Sequence, residues 1–150
     1  MALHESHYVF LVVLAVHVLT LAVFAGTTLM IDLRLLGVAM ARAPVSEIAA
    51  TLLPWSVAGF VVMLVTGSLL FYAAPVLRYE NLFFRAKMTA LVLALVNAWA
   101  CHRAIARRIP PWDGDAVPPR HVRLAGGVSI VLWAFVITTG RLIPYQQYWF

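Results

Sequence analysis

The stretch LVVLAVHVLTLAVFAGTTLMI, residues 11–31, contains no charged residue and is long enough to cross a bilayer as a helix. A helix needs about 20 apolar residues to span roughly 30 Å of hydrocarbon. The rest of the chain is similar: its 150 residues are 63% hydrophobic and 11% charged, with a mean hydropathy of +0.91. A soluble domain of this length has too little polar surface for such a composition. The sequence therefore predicts an integral membrane protein.

Charged residues and prolines divide the chain into four predicted spans, at about 8–31, 52–76, 82–104 and 122–143. The third span must begin near Leu82, because the 14 residues between Lys87 and His102 give only about 21 Å of helix. Asp32 and Arg34 are expected to close the first span. Pro54 is expected in the first turn of the second, where its missing N–H costs nothing. We predict a single domain, residues 1–150, folded as an all-α membrane four-helix bundle.

The basic residues predict an orientation in the membrane and argue against nucleic acid as a partner. The net charge is +5, but the 11 basic residues fall at the ends of apolar runs and not along a binding stripe. Seven of them follow spans one and three, and four lie on the other side. Since cytoplasmic loops carry the excess of Lys and Arg, both termini are expected outside the cytoplasm.

His17 is the first candidate functional residue. It lies nine residues into the first span, about 13 Å below the outer boundary. An ionisable side chain at that depth is costly and is by default a hypothesis for a functional site. A neutral imidazole that hydrogen-bonds a hydroxyl on a neighbouring helix explains it equally well.

Three further cations, Arg85, Lys87 and Arg141, are predicted near the outer mouth of the bundle. Singly, each is best explained by contact with lipid headgroups, and the spacing of Lys87 favours a side chain that extends to them. Together the three cations suit the carboxylates of a bound haem, since a histidine lies below them inside the membrane. A quinone-like substrate is the other candidate for this mouth.

A second haem ligand is not evident in the sequence. His102 lies more than about 10 Å from the level of His17 by helix rise, so the two cannot share one iron. Met88 reaches a suitable depth only if its face points inward. His4 and His7, with Glu5 between them, form a weak candidate for a surface metal site.

Small residues recur at helical spacing in spans two and three. Span three has Ala86, Ala90, Ala94 and Ala98, and span two has Ser56, Gly59, Met63 and Gly67. Such stripes allow another backbone to approach closely, and helix packing is the expected use. Asn97 lies beside the alanines and is expected to form a hydrogen bond across the bundle.

Three segments carry a family resemblance: HVLTLAVFAGTTLMIDLRLLG, PWSVAGFVVMLVTGSLLFY and NLFFRAKMTALVLALVNAWACHR. They resemble the first three helices of a superfamily of four-span bacterial membrane proteins. This superfamily includes the copper-resistance D family and the haem-containing membrane protoporphyrinogen oxidase family. The chain looks closest to a group of small four-span proteins with a DLRLLG-like signature and a Gly-Arg pair near the C-terminus, here Gly140 and Arg141.

The resemblance implies a b-type haem, with His17 as iron ligand and Lys87 as a functional residue. The chain would relay electrons as the membrane subunit of a larger redox system, and so as a component of a membrane oxidoreductase. It also implies the bacterial inner membrane, with both termini periplasmic. Its partners would be the lipid bilayer and either other membrane proteins or further copies of itself. Two alternatives stay open: a cofactor-free accessory subunit, and a copper-handling protein that uses His4, His7 and His17.

Overall fold

The computed structural model describes residues 7–73, 75–107 and 109–148, which are mostly helical. We number the helices in chain order. They are α1 (His7–Leu36), α2 (Val45–Ala73), α3 (Pro75–Tyr79), α4 (Leu82–Arg107) and α5 (Arg120–Leu142), followed by a 3-10 helix (Ile143–Tyr148). No strand occurs within these ranges, in agreement with the all-α prediction.

Four helices of the described chain are long and apolar enough to cross a membrane: α1, α2, α4 and α5, the last together with the 3-10 helix. Their outer faces carry large apolar side chains that no other part of the bundle covers, such as Leu19, Leu64, Val92 and Leu124. Such faces are unfavourable in water and suit lipid acyl chains. The prediction of a membrane four-helix bundle is therefore confirmed.

Two predictions about the helix ends are wrong. The second helix begins at Val45, so Pro54 lies well inside it. It begins there because Asp113 satisfies its first N–H groups: the N–H of Val45 donates to the Asp113 carbonyl (3.1 Å) and that of Ser46 to Oδ1 (2.8 Å). The first helix runs on to Leu36, so Asp32 lies inside it and does not close it.

The four long helices pack in a chain of neighbours. α1 packs against α2 and α5, and α5 packs against α4. α2 and α4 face each other with little direct contact, except where the rings of Phe71 and Phe84 stack at 5.4 Å. A gap therefore remains between α2 and α4 along part of the bundle.

Phe24 lies at the centre of the main core. Its ring meets Trp133 edge-on, with the ring centres 4.6 Å apart, and Phe60 at 5.8 Å. Met63, Ala90, Ala94 and Val136 complete this buried cluster. Ala90 and Ala94 confirm the packing role of the middle of the alanine stripe, and Ser56, Gly59 and Met63 do so for span two. Asn97 donates to the Ala125 carbonyl of α5 at 3.0 Å, as expected.

The bundle has two unlike ends. The His17 end contains the start of α1 and α4, the end of α2 and α5, and the 3-10 helix. The Arg34 end contains the end of α1 and α4, the start of α2 and α5, and the connecting residues 37–44 and 109–119. Gly37 ends α1 with a φ of +74°, which favours glycine, and turns the chain beneath Pro118.

Candidate functional site

His17 lies on the face of α1 that also carries Phe24, and it is turned toward α2. Its Nδ1 lies 2.7 Å from the Thr66 hydroxyl. That hydroxyl has one proton, which it donates to the Val62 carbonyl in its own helix (2.8 Å). When it donates there, it accepts from His17, and the tautomer consistent with both contacts has the hydrogen on Nδ1. Nε2 is then the unprotonated ring nitrogen and is the one able to bind a metal.

Gly67, the residue after Thr66, makes room for the imidazole. A Cβ at this position would lie 3.4 Å from Cε1 of His17. The ring thus lies against the backbone of α2 and is fixed by the hydrogen bond beside it. Metal-binding histidines are commonly oriented in this way, because the hydrogen bond on one nitrogen sets the tautomer and aims the other.

Lys87 is seated against a glycine too. A Cβ at Gly140 of α5 would lie 3.3 Å from Nζ and 3.5 Å from Cδ and Cε of Lys87. The side chain is half-buried and lies along α5. This geometry differs from the expected extended side chain that simply reaches the headgroups, because it places the ammonium against the backbone of α5.

Positive charge exceeds negative charge at the His17 end. Its cations are Arg78, Arg85, Lys87 and Arg141, and its one described carboxylate, Glu80, is exposed. The other described acidic residues, Asp32, Glu47, Asp113 and Asp115, lie at the Arg34 end. Arg78 is half-buried, which lowers the pKa of its guanidinium through desolvation. This end therefore has cations to offer an external anion.

The other residues considered as ligands or charge partners are exposed, lie at the opposite end, or fall outside the described residues. Arg85 and Arg141 are exposed at the rim of the same end. Met88 is 43% exposed, so it does not supply a ligand inside the bundle. His102 and His121 are exposed and lie at the Arg34 end. His4 and the side chain of His7 fall outside the described residues, and the described residues contain no group of three or more metal-binding side chains.

Of the described residues at this end, His17 would supply one protein ligand to a haem iron, and no second ligand is found among them. In the Nδ1–H tautomer, Nε2 of His17 would be the nitrogen able to bind the iron. The lining of the two cavities described for this bundle does not include His17. The fit therefore rests on the hydrogen bonding of the imidazole and on its cationic neighbours.

Arg34 is a buried hydrogen-bond donor at the other end of the bundle, and 0% of the residue is exposed. Nε donates to the Ala43 carbonyl at 2.7 Å, and one terminal nitrogen donates to the Asp115 carbonyl at 2.9 Å. The second terminal nitrogen, NH1, is buried without a partner in the described residues. The guanidinium ties α1 to both connections of this end, since its planar fork reaches carbonyls on either side.

Asp32 is also buried, with 4% exposure, between α1 and α5. The Ser129 hydroxyl donates to its Oδ2 at 2.7 Å. The carboxyl group borders a cavity of about 200 Å³ whose walls come from α1, α2, α4 and α5. Trp133 borders the same cavity, and its Nε1–H is buried with no partner among the residues described.

Sequence reasoning treated Asp32 and Arg34 as a polar helix end and missed this second site. The signal was present in the segment IDLRLLG, because an acidic and a basic residue two positions apart point to different sides of a helix. The burial of Arg34 depends on residues 109–118, which fold back over the end of α1, and that of Asp32 depends on the packing of α5 against α1. Those contacts are far away in the sequence, so no local pattern reveals them.

Comparison with known proteins places the chain in one family. A search of curated proteins and a search of solved structures found no significant match. Residues 7–146 match one family, and this range contains all four long helices. The chain belongs to the family of unknown function DUF6644.

Proposed function

We propose that this protein binds a b-type haem through His17 and relays electrons as the membrane subunit of a larger redox system. The observation that carries the proposal is the 2.7 Å hydrogen bond between His17 Nδ1 and the Thr66 hydroxyl, which in the Nδ1–H tautomer leaves Nε2 unprotonated. An imidazole fixed in this way is suited to coordinate iron, because the other ring nitrogen is already satisfied. A haem iron would accept and release one electron at a time.

The charge at the His17 end supports an anionic cofactor. Haem carries two propionates, and carboxylates pair well with Lys and Arg at the boundary of a membrane. Lys87 packs against Gly140 and is half-buried, and Arg85 and Arg141 are exposed at the same end. In this proposal the three side chains bind the propionates, and His17 holds the iron.

The resemblance to haem-containing membrane oxidases supports the same two residues. In that resemblance, the histidine of the oxidases' first span matches His17, and the lysine of their third span matches Lys87. Thr66 has a positioning role in the proposal, since its hydroxyl fixes the imidazole without touching the iron. Its hydrogen bond also makes the imidazole a stronger donor, which lowers the reduction potential of a bound haem.

An absorption spectrum of the purified full-length protein, oxidised and then reduced with dithionite, tests the proposal. We expect a Soret band and reduced-state bands typical of b-type haem. His17→Ala should remove most of the bound haem because it removes the protein ligand. His102→Ala and His121→Ala change exposed histidines at the opposite end and should leave the spectrum unchanged.

Two results would contradict haem binding by His17. One is a preparation from haem-supplemented cells that folds but lacks a Soret band. The other is a band that persists at full strength in His17→Ala. If His17→Ala fails to fold, Thr66→Val provides the test: it keeps the ligand and should shift the reduction potential. A folded protein without a Soret band would instead favour the cofactor-free accessory role.

We further propose that the protein lies in the bacterial inner membrane with the His17 end toward the periplasm. The excess of basic residues at the Arg34 end supports this orientation. Single cysteines can be placed at Tyr79, exposed at the His17 end, or at Gly114, exposed in the connection at the other end, after Cys101→Ser. A membrane-impermeant maleimide added to intact cells should label Tyr79→Cys and not Gly114→Cys. The reverse pattern would overturn the orientation.

A further inference from the structure

The cavity beside Asp32 and Trp133 is distinct from the His17 site and lies at the Arg34 end of the bundle. Its volume of about 200 Å³ is a little larger than the roughly 150 Å³ cavity that holds one benzene molecule in an engineered protein core. One substituted six-membered ring fits such a space. A porphyrin does not, so this cavity is not a second place for the haem.

The walls of the cavity are mostly apolar, with a small number of polar groups. Phe24, Phe60 and Leu53 are among the side chains that form the apolar wall. An apolar pocket with few polar groups is the usual form of a small-molecule site. The polar groups therefore decide which ring is bound.

Trp133 is the most informative of these polar groups. Its indole is 6% exposed, and Nε1–H can only donate a hydrogen bond. A buried donor without an acceptor is costly, so an oxygen atom on a bound molecule would relieve that cost. Asp32 adds a carboxyl group on the cavity wall: Ser129 occupies one of its oxygens, and no hydrogen bond to the other is found in the described residues.

The cavity opens toward lipid through the gap between α2 and α4. Three residues that line it, Val57 of α2 and Leu95 and Ala98 of α4, are themselves exposed on the membrane-facing surface. A molecule dissolved in the hydrocarbon can therefore enter sideways, and an alkyl tail can remain between the lipid chains. Both features require a ligand that is itself soluble in lipid.

We propose that this cavity binds the ring of a lipid-soluble quinone or quinol. A ring oxygen accepts the hydrogen bond of Trp133 Nε1–H, and the tail leaves between α2 and α4. The second oxygen donates to the Asp32 carboxylate when the ligand is a quinol, and accepts from the protonated Asp32 carboxyl group when it is a quinone. The site depends on residues other than His17, so it stands independently of the haem.

Calorimetric titration of the purified full chain in detergent tests this site. The probe is a 1,4-benzoquinone with one isoprenyl unit, compared with the matching isoprenylbenzene that lacks both oxygens. We expect the quinone to bind more tightly than the hydrocarbon. Trp133→Phe keeps an aromatic ring beside Phe24 but removes the donor, and it should weaken quinone binding about tenfold without affecting the hydrocarbon.

Two further variants complete the design. Ala98→Phe places a ring at the exposed mouth, where folding tolerates it, and should weaken binding of both probes. Trp99→Phe changes the next residue, which is exposed and does not line the cavity, and should alter neither. His17→Ala should bind the quinone as the unaltered protein does, whatever its haem content.

The site is overturned if the hydrocarbon binds as tightly as the quinone to the unaltered protein. It is also overturned if Trp133→Phe binds the quinone with undiminished affinity, because Nε1–H would then make no hydrogen bond to the quinone. Loss of the Soret band in His17→Ala with intact quinone binding would separate this result from the fate of the haem proposal.

Discussion

Arg34 and Lys87 are both cations in the apolar helices, yet their surroundings differ. At one end, Arg34 is fully buried, and backbone carbonyls of two connecting segments accept its hydrogen bonds. At the other, Lys87 is half-buried against Gly140 with no described carboxylate beside it. Buried charge is stable only when it is satisfied. The Arg34 guanidinium therefore links α1 to the connecting segments, whereas none of the hydrogen bonds found in the described residues uses Lys87.

The largest effect should come from Arg34→Met. The substitution removes a fully buried guanidinium and leaves the carbonyls of Ala43 and Asp115 without their donor, and it should lower the free energy of unfolding by about 3 kcal/mol. Thermal unfolding in detergent measures this. Arg42→Met, an exposed arginine in the adjoining connection, is the control and should change stability little. Equal effects of the two variants would mean that the hydrogen bonds of Arg34 do not stabilise the protein more than an exposed arginine does.

Gly126→Ala should be next in size. Its Cβ would lie 3.0 Å from both the Asp32 carbonyl oxygen and Cβ of Leu35, so α1 and α5 would have to separate. We expect a loss of about 1–3 kcal/mol in the same unfolding assay.

Gly127→Ala is the matched control on the same helix. Its Cβ would meet only Cδ2 of Leu36, at 3.8 Å, and alanine favours a helix over glycine. This variant should be neutral or slightly more stable. If both substitutions stabilise the protein, the close approach of α1 and α5 at the Arg34 end is wrong.

Asp113→Ala tests how the second helix begins. The carboxylate accepts hydrogen bonds from the N–H and the hydroxyl of Ser46, and so serves as a remote cap for α2. Its loss should cost about 1 kcal/mol, as with other helix caps. Asp113→Asn keeps one acceptor oxygen and should lose less, and a greater loss in Asp113→Asn would contradict this assignment.

At the His17 end, we expect an effect on stability no larger than that of Asp113→Ala. Thr66→Val removes the acceptor of His17 Nδ1–H and should cost about 1 kcal/mol. If haem is bound, its reduction potential should also change, since the imidazole loses its fixed hydrogen bond. Thr51→Val, where the hydroxyl donates only to its own helix, should alter neither quantity. An unchanged potential in a haem-loaded Thr66→Val protein would remove the positioning role of Thr66.

Much of the bundle was predictable from local sequence. The absence of charge in residues 11–31 and the apolar length of the other spans predict four helices, because the bilayer solvates apolar surfaces whatever the tertiary contacts. For His17 the sequence left two interpretations open, a functional site and an imidazole hydrogen-bonded to a hydroxyl on a neighbouring helix, and the structure shows that hydrogen bond. It follows from the register of α1 against α2, which brings Thr66 and Gly67 to the imidazole.

The sequence by itself determined the class of the protein, the number of its spans and the residues that are costly to place in a membrane. Those properties depend on transfer of single side chains between water and lipid, and each residue contributes independently. Only the tertiary structure decided which partners these residues find: Arg34 donates to the distant Asp115 carbonyl, Asp32 accepts from Ser129, and His17 pairs with Thr66. These pairs are separated by many residues along the chain, so only the packing of the helices brings them together.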